Sequence, residues 1–236
     1  MSPGRPPLVV CAHGTRDPVG RRTVVDLVAA VAARLPEVRV LEAYVDVHGP
    51  DVVEVVSGLP AGGHVAGVVV PLLLAGGYHV HVDIADAVAA RPDVVATAAL
   101  GPDDRLVDIV VDRLRSLGAR PGCRVVLAPA GSSDPRSQAD TAEVARRLGK
   151  RWGGPVTLGY AAGQSPSVAS AVSSARRAGG SPVAVASFLL APGFFQGRLA
   201  EAGADLVTEP LAPDQRVVDI VIDRYREALE QAAPAQ

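Results

Sequence analysis

The sequence predicts an α/β fold: two tandem doubly wound parallel-sheet domains. Three observations carry this. Short apolar runs rich in β-branched residues alternate with segments of helical periodicity. The whole alternation recurs from Cys123 onward. Polar residues stand repeatedly where an apolar run stops, and in open α/β sheets the C-terminal ends of the strands are where ligands bind.

Taken in order, Leu8 to Ala12 is an apolar run ending at His13-Gly14, which reads as a buried parallel strand. Val24, Val28, Val31 and Leu35 share one helical face, and Pro36 closes that helix. Val38 to Asp46 gives a second strand, and Pro50 with Val52, Val55, Val56 and Leu59 a second helix. Val65 to Ala75 is a third, nearly uncharged strand that runs up to Gly76-Gly77-Tyr78-His79, followed by a helix from Asp83 to Ala90. Val94 to Leu100 is the fourth strand, and Pro102-Asp103-Asp104 opens a helix marked by Leu106, Val110, Leu114 and Leu117. His13, Asp46 and His79 therefore each stand at a strand end.

The second half matches the first. Gly131 and Asp134-Pro135 align with Gly14 and Asp17-Pro18, Tyr160 with Tyr44, and Leu189 to Phe195 with Leu73 to His79. The closest match pairs Pro102 to Arg113 with Pro213 to Arg224. The chain thus divides into domains 1–119 and 120–236, with the boundary in the connection around Leu117 to Gly122.

Composition narrows the function. A net charge of −2, no basic run and only eight aromatic residues argue against nucleic-acid binding. The longest apolar run, Val65 to Gly77, is too short to span a bilayer and is broken by Pro71, Gly76 and Gly77, so no membrane partner is expected. Cys11 and Cys123 lie at or near buried strands rather than in a CxxC pair and read as reduced core residues. These features suit a cytoplasmic protein.

The duplication acts as a filter. His13 becomes Ala130, His79 becomes Phe195 and Asp46 becomes Ala162, so all three strand-end groups are confined to the first half. Asp108, Asp112 and Arg113 recur as Asp219, Asp223 and Arg224, which marks a solvated or inter-domain ion-pair helix face. Two imidazoles and a carboxylate converging on one crevice make a site for a divalent transition metal, and the same groups accept protons. A hydrolytic triad lacks a G-x-S-x-G nucleophile, and His13-Gly14-Thr15-Arg16 as an anion nest lacks both glycine-rich phosphate motifs. His48 and His64 read as solvent-facing loop histidines, with His48 close enough to Asp46 to be a spare ligand or base, and His81 as a residue without a role.

These residues resemble the class II tetrapyrrole chelatases, specifically the sirohydrochlorin chelatases of siroheme and cobalamin synthesis. The resemblance rests on His13 to Pro18, on Ala43-Tyr44-Val45-Asp46 followed by Pro50, and on Pro71 to His79 with Asp83-Ile84 after it. It spans essentially the whole chain, since larger members are two fused halves with the metal-handling residues in one. The family usually has a glutamate where this chain has Asp46, which is one methylene shorter.

The resemblance implies insertion of Fe2+ or Co2+ into a sirohydrochlorin-type tetrapyrrole, with the divalent metal as a substrate and no organic cofactor. His13 and His79 would bind the incoming metal and accept pyrrole protons, with Asp46 compensating charge or completing the ligand set. The resemblance also implies a cleft between the two halves, lined by cationic and backbone N–H donors to substrate carboxylates: Gly14, Thr15 and Arg16 from the first half, Gly131, Ser132 and Ser133 from the second. Arg136 and Arg198 are weaker candidates, and Phe194 and Phe195 could form an apolar wall against the macrocycle. The chain would act as a monomer or homodimer. The alternative is a non-catalytic metal or tetrapyrrole carrier of the same fold.

Overall fold

A computed structural model describes residues 5–61, 64–179 and 182–233. It contains two parallel four-stranded sheets. The first comprises β1 (Leu8–Ala12), β2 (Val40–Tyr44), β3 (Gly67–Pro71) and β4 (Val94–Ala96), in the order β2-β1-β3-β4. The second comprises β5 (Arg124–Pro129), β6 (Val156–Leu158), β7 (Val183–Phe188) and β8 (Leu206–Val207), in the equivalent order β6-β5-β7-β8.

Every residue of β1 and of β3 is buried, as expected for central strands covered on both faces. Val9 and Cys11 of β1 pack with Val52 and Val56 of α2 (Val52–Ser57) and with Ile84 and Ala87 beyond β3. Strand residues alternate between faces, so Leu8 and Val10 point to the other layer. There α1 (Pro18–Arg34) buries Val24, Leu27, Val28 and Val31.

Two elements start earlier than periodicity indicates. Helix α1 begins at Pro18 because the Asp17 carboxylate accepts hydrogen bonds from the Val19 and Gly20 N–H groups, with proline at the first position. The helix expected from Asp83 instead opens at His79 as a π-helical segment (His79–Ile84) that continues as α3 (Ala85–Ala89). An i→i+5 turn leaves no 3.6-residue apolar repeat to read. Strand β3 is also shorter than its apolar run, ending at Pro71, with the Leu72 N–H donating to the Cys11 carbonyl as the ladder's last rung.

The compact units do not follow the 119/120 division. One unit contains residues through Leu100 together with those from Val217 onward, and the other spans Gly101–Arg216. Helix α4 (Asp104–Ser116) thus belongs with the second sheet, where Asp104 and Asp108 pair with Arg147 and Arg151 of α5 (Pro135–Trp152). Helix α8 (Gln215–Gln231) supplies Val217, Ile220, Val221 and Tyr225 to the first unit, all fully buried. The Tyr225 hydroxyl donates to the Pro6 carbonyl at 2.6 Å, and Asp219 pairs with Arg34 of α1 at 3.0 Å. Each unit is closed by the last helix of the other repeat. The recurring acidic positions do form ion pairs, through Asp108, Asp112 and Asp219. Among the described residues no helix is long and apolar enough to cross a membrane.

The repeat is visible in backbone detail. Asp46 N–H donates to the His13 carbonyl at 3.1 Å, and Ala162 N–H to the Ala130 carbonyl at 2.8 Å. Gly14 (φ +96°) and Gly131 (φ +104°) sit under those crossings, where a Cβ would lie 2.3 Å from the Asp46 oxygen and 2.0 Å from the Ala162 oxygen. Gly131→Ala is therefore expected to destabilise the protein by on the order of 1–3 kcal/mol, read as a lowered urea midpoint. A second expectation concerns Tyr225. Burial pushes its phenol up to about 12 from 10.0, so its contribution is intact below pH 10 and is lost as pH rises through about 12. A pH series of melting temperatures should show that alkaline decline flattened in Tyr225→Phe.

Candidate functional site

In the order β2-β1-β3-β4 the chain leaves β1 toward one edge of the sheet and β3 toward the other. A crevice opens between the C-terminal ends of such strands. His13 is the first residue after β1, and His79 opens the π-helical segment after β3. The structure brings these two together: their ring centroids are 4.4 Å apart, edge to face at 89°. Both are partly accessible, the His79 side chain at 35%.

Each ring has one nitrogen engaged. His13 Nδ1 lies 3.3 Å from the Gly14 carbonyl, and His79 Nδ1 lies 2.6 Å from Asp83 Oδ2. With Nδ1–H donating in both, each Nε2 keeps its lone pair for a metal or a proton. A carboxylate behind an imidazole fixes the ring's tautomer and orientation. Sequence reasoning missed the part of Asp83 in the site, having placed it as a helix start and among the residues that carry the resemblance. The signal was its i, i+4 relation to His79, which becomes readable once the helix begins at His79.

Asp46 does not complete a trio with the imidazoles. It is exposed, and its carboxylate accepts a hydrogen bond from the following Val47 N–H at 2.6 Å. Among the described residues no group of three or more His, Cys, Asp or Glu side chains is arranged to hold a metal ion. The reason lies in the topology. Asp46 follows β2, on the side of β1 away from β3, and its short side chain folds back onto its own backbone.

The expected substrate-binding turns are partly used by the fold itself. Thr15 Oγ1 accepts from Asp17 N–H at 3.1 Å and its carbonyl accepts from Arg21 Nε at 2.7 Å, while Arg16 is exposed. In the second unit Ser132 Oγ accepts from Asp134 N–H at 3.1 Å, and the Ser132 N–H donates to Gln164 Oε1 at 3.0 Å. The Ser132 amide, expected as a donor to substrate, is thus already occupied, whereas Ser133 is exposed and Gly131 serves the backbone crossing. Arg136 pairs with Asp134 at 2.7 Å, and Arg198 lies 5.9 Å from the ring of the exposed Phe194.

Other groups near the strand ends are structural. His48 is not a solvent-facing histidine: its ring lies 4.1 Å from that of buried Tyr44, with Nδ1 3.0 Å from the Gly49 carbonyl and Nε2 enclosed. His64 is exposed, and the side chain of His81 lies outside the described residues. Burial pushes the Cys11 thiol up to about 12, helped by the negative charge of Asp51 and Asp83, so it remains a protonated core group.

The CbiX family model matches this chain twice, over residues 7–117 and 124–228. A sirohydrochlorin ferrochelatase of Priestia megaterium is 30% identical over 150 residues, 60% of this chain and 56% of that protein. This chain spans about half the length of the curated relative it matches. SirB from Bacillus subtilis with Fe3+ superposes with a TM-score of 0.75 at 20% identity, covering 94% of both chains. The sirohydrochlorin chelatase SirB from Bacillus subtilis subspecies spizizenii, in complex with cobalt, gives 0.73 at 20% identity and 95% of both. These structural likenesses establish a shared fold.

Proposed function

This chain belongs to the CbiX family, and we propose that it inserts a divalent metal, Fe2+ or Co2+, into a sirohydrochlorin-type tetrapyrrole with release of two protons. The observation that carries this reading is the His13–His79 pair, 4.4 Å apart at the switch between β1 and β3. The second repeat has Ala130 and Phe195 at those positions, so the first repeat, 1–119, holds the site and 120–236 is its degenerate copy. The ferrochelatase relative and the metal-bound SirB structures support the same chemistry.

Insertion must deliver a dehydrated cation to the ring nitrogens and remove two N–H protons. The two Nε2 lone pairs take the metal first; as the ring nitrogens replace them, the freed imidazoles accept the departing protons. Asp83, hydrogen-bonded to His79, holds that ring in place. Asp46, at the end of β2, adds negative charge on the first unit, where the exposed Arg16 meets substrate carboxylates. Imidazole ligands accept iron and cobalt alike, so selection between them rests on geometry and supply. Cys11 and Cys123, both unpaired thiols, fit a cytoplasmic setting.

Metal insertion is followed as the change in the visible spectrum of sirohydrochlorin. His13→Ala and His79→Ala are each expected to slow it by about 100-fold or more while leaving circular dichroism unchanged. Wild-type rates in both variants would remove the imidazoles from the mechanism, and tight binding without turnover in the wild type would make the protein a carrier. Asp83→Asn is expected to weaken Co2+ binding by about 10–100-fold, measured by calorimetry.

A further inference from the structure

We infer that Val47 is a substrate-positioning residue, held in a strained backbone conformation so that its side chain meets the apolar face of the macrocycle beside the imidazole pair. This rests on the chelatase reading above. Val47 has φ +69° and is the non-glycine residue with positive φ among those described. That region brings Cβ against the neighbouring carbonyl, and a β-branched side chain is especially unfavourable there. Such outliers persist where surrounding structure holds them, and they gather at ligand sites.

The second repeat supplies an internal control. Its equivalent of Asp46 is Ala162, and the next residue is Gly163 with φ +70°, the same backbone conformation without a side chain. The turn thus requires the left-handed conformation in both copies, and glycine satisfies it without strain in one. The copy that carries the histidines keeps valine instead. Core packing does not explain the choice, because Val47 is 38% exposed.

Location points to the substrate. The Val47 Cβ would lie 3.2 Å from a Cβ built on Gly14, so its side chain stands over the turn that follows His13. Tyr78, next to His79 in the chain, is 58% exposed and meets the His79 ring edge to face at 5.9 Å. Val47, over the turn after His13, and Tyr78, against His79, are thus exposed carbon-rich side chains close to the two imidazoles. A flat macrocycle whose nitrogens lie over the imidazoles would rest its carbon periphery on such side chains.

The test measures three quantities on full-length Val47→Gly, Val47→Asn and Val47→Ile: melting temperature, metal-free sirohydrochlorin binding by absorbance titration, and KM and kcat for metal insertion. Asn tolerates the left-handed region, so Val47→Asn should melt at or above the wild-type temperature. Both Val47→Gly and Val47→Asn should raise the dissociation constant and KM for sirohydrochlorin by about tenfold, more than they lower kcat, with Val47→Ile recovering the KM. A lower melting temperature in Val47→Asn would overturn the strain argument. A KM within about twofold of wild type in Val47→Gly or Val47→Asn, or failure of Val47→Ile to recover it, would overturn the substrate role. A wild-type protein that neither binds nor metallates sirohydrochlorin would instead overturn the chelatase reading, and this inference with it.

Discussion

The close crossing of backbone at the end of the first two strands is the constraint on which the rest of the site depends. The chain leaving β2 passes directly over the turn leaving β1, with the Asp46 carbonyl where a Cβ on residue 14 would be. Glycine makes that approach possible, and the hydrogen bond from Asp46 N–H to the His13 carbonyl locks it. On the other side, the ladder from β1 to β3 continues to Leu72 before the chain turns toward His79. His13 is thereby held between two neighbouring strands, and the second imidazole arrives on a segment that starts from one of them. The ring-to-ring geometry follows from backbone pairing rather than from contacts that the histidines make for themselves.

The two repeats share this scaffold and differ in what is mounted on it. Asp17 and Asp134 cap equivalent helices, Thr15 and Ser132 accept the same kind of hydrogen bond from them, and Tyr44 and Tyr160 occupy matching bridges. At the strand ends the copies part. The first repeat has a π-helical opening at His79 and a strained valine at residue 47. The second has a regular helix, α7 (Phe194–Ala200), and a relaxed Gly163. Local irregularity therefore coincides with the imidazole pair, as expected where chemistry overrides local preference. The second copy has the same strand order with neither histidine, so the pair is not needed for the scaffold.

What was legible in the sequence follows from how each signal arises. Apolar runs and periodicity placed the strands and helices of the first repeat in their observed order, because burial on one or both faces imposes a period, while β3 and β4 end earlier than their apolar runs. His13 and His79 stood out because an otherwise similar second copy lacks them. The start of α1 was missed because its first turn is set by a carboxylate cap and a proline rather than by buried side chains. The π-helical opening was missed because its turn has a different period, and with it went the pairing of His79 with Asp83.

By itself, the sequence determined the α/β class, the duplication, and which copy carries the imidazoles, since these are properties of pattern and residue type. Only the tertiary structure decided that α4 and α8 close compact units other than their own repeats, because periodicity reports which face of a helix is apolar and not which sheet covers it. It also decided that Asp46 turns onto the Val47 N–H, that His48 lies against Tyr44, and that Asp83 stands behind His79. Each of those outcomes depends on a hydrogen bond or ring contact whose length is set by packing, and residue type alone leaves several partners within reach.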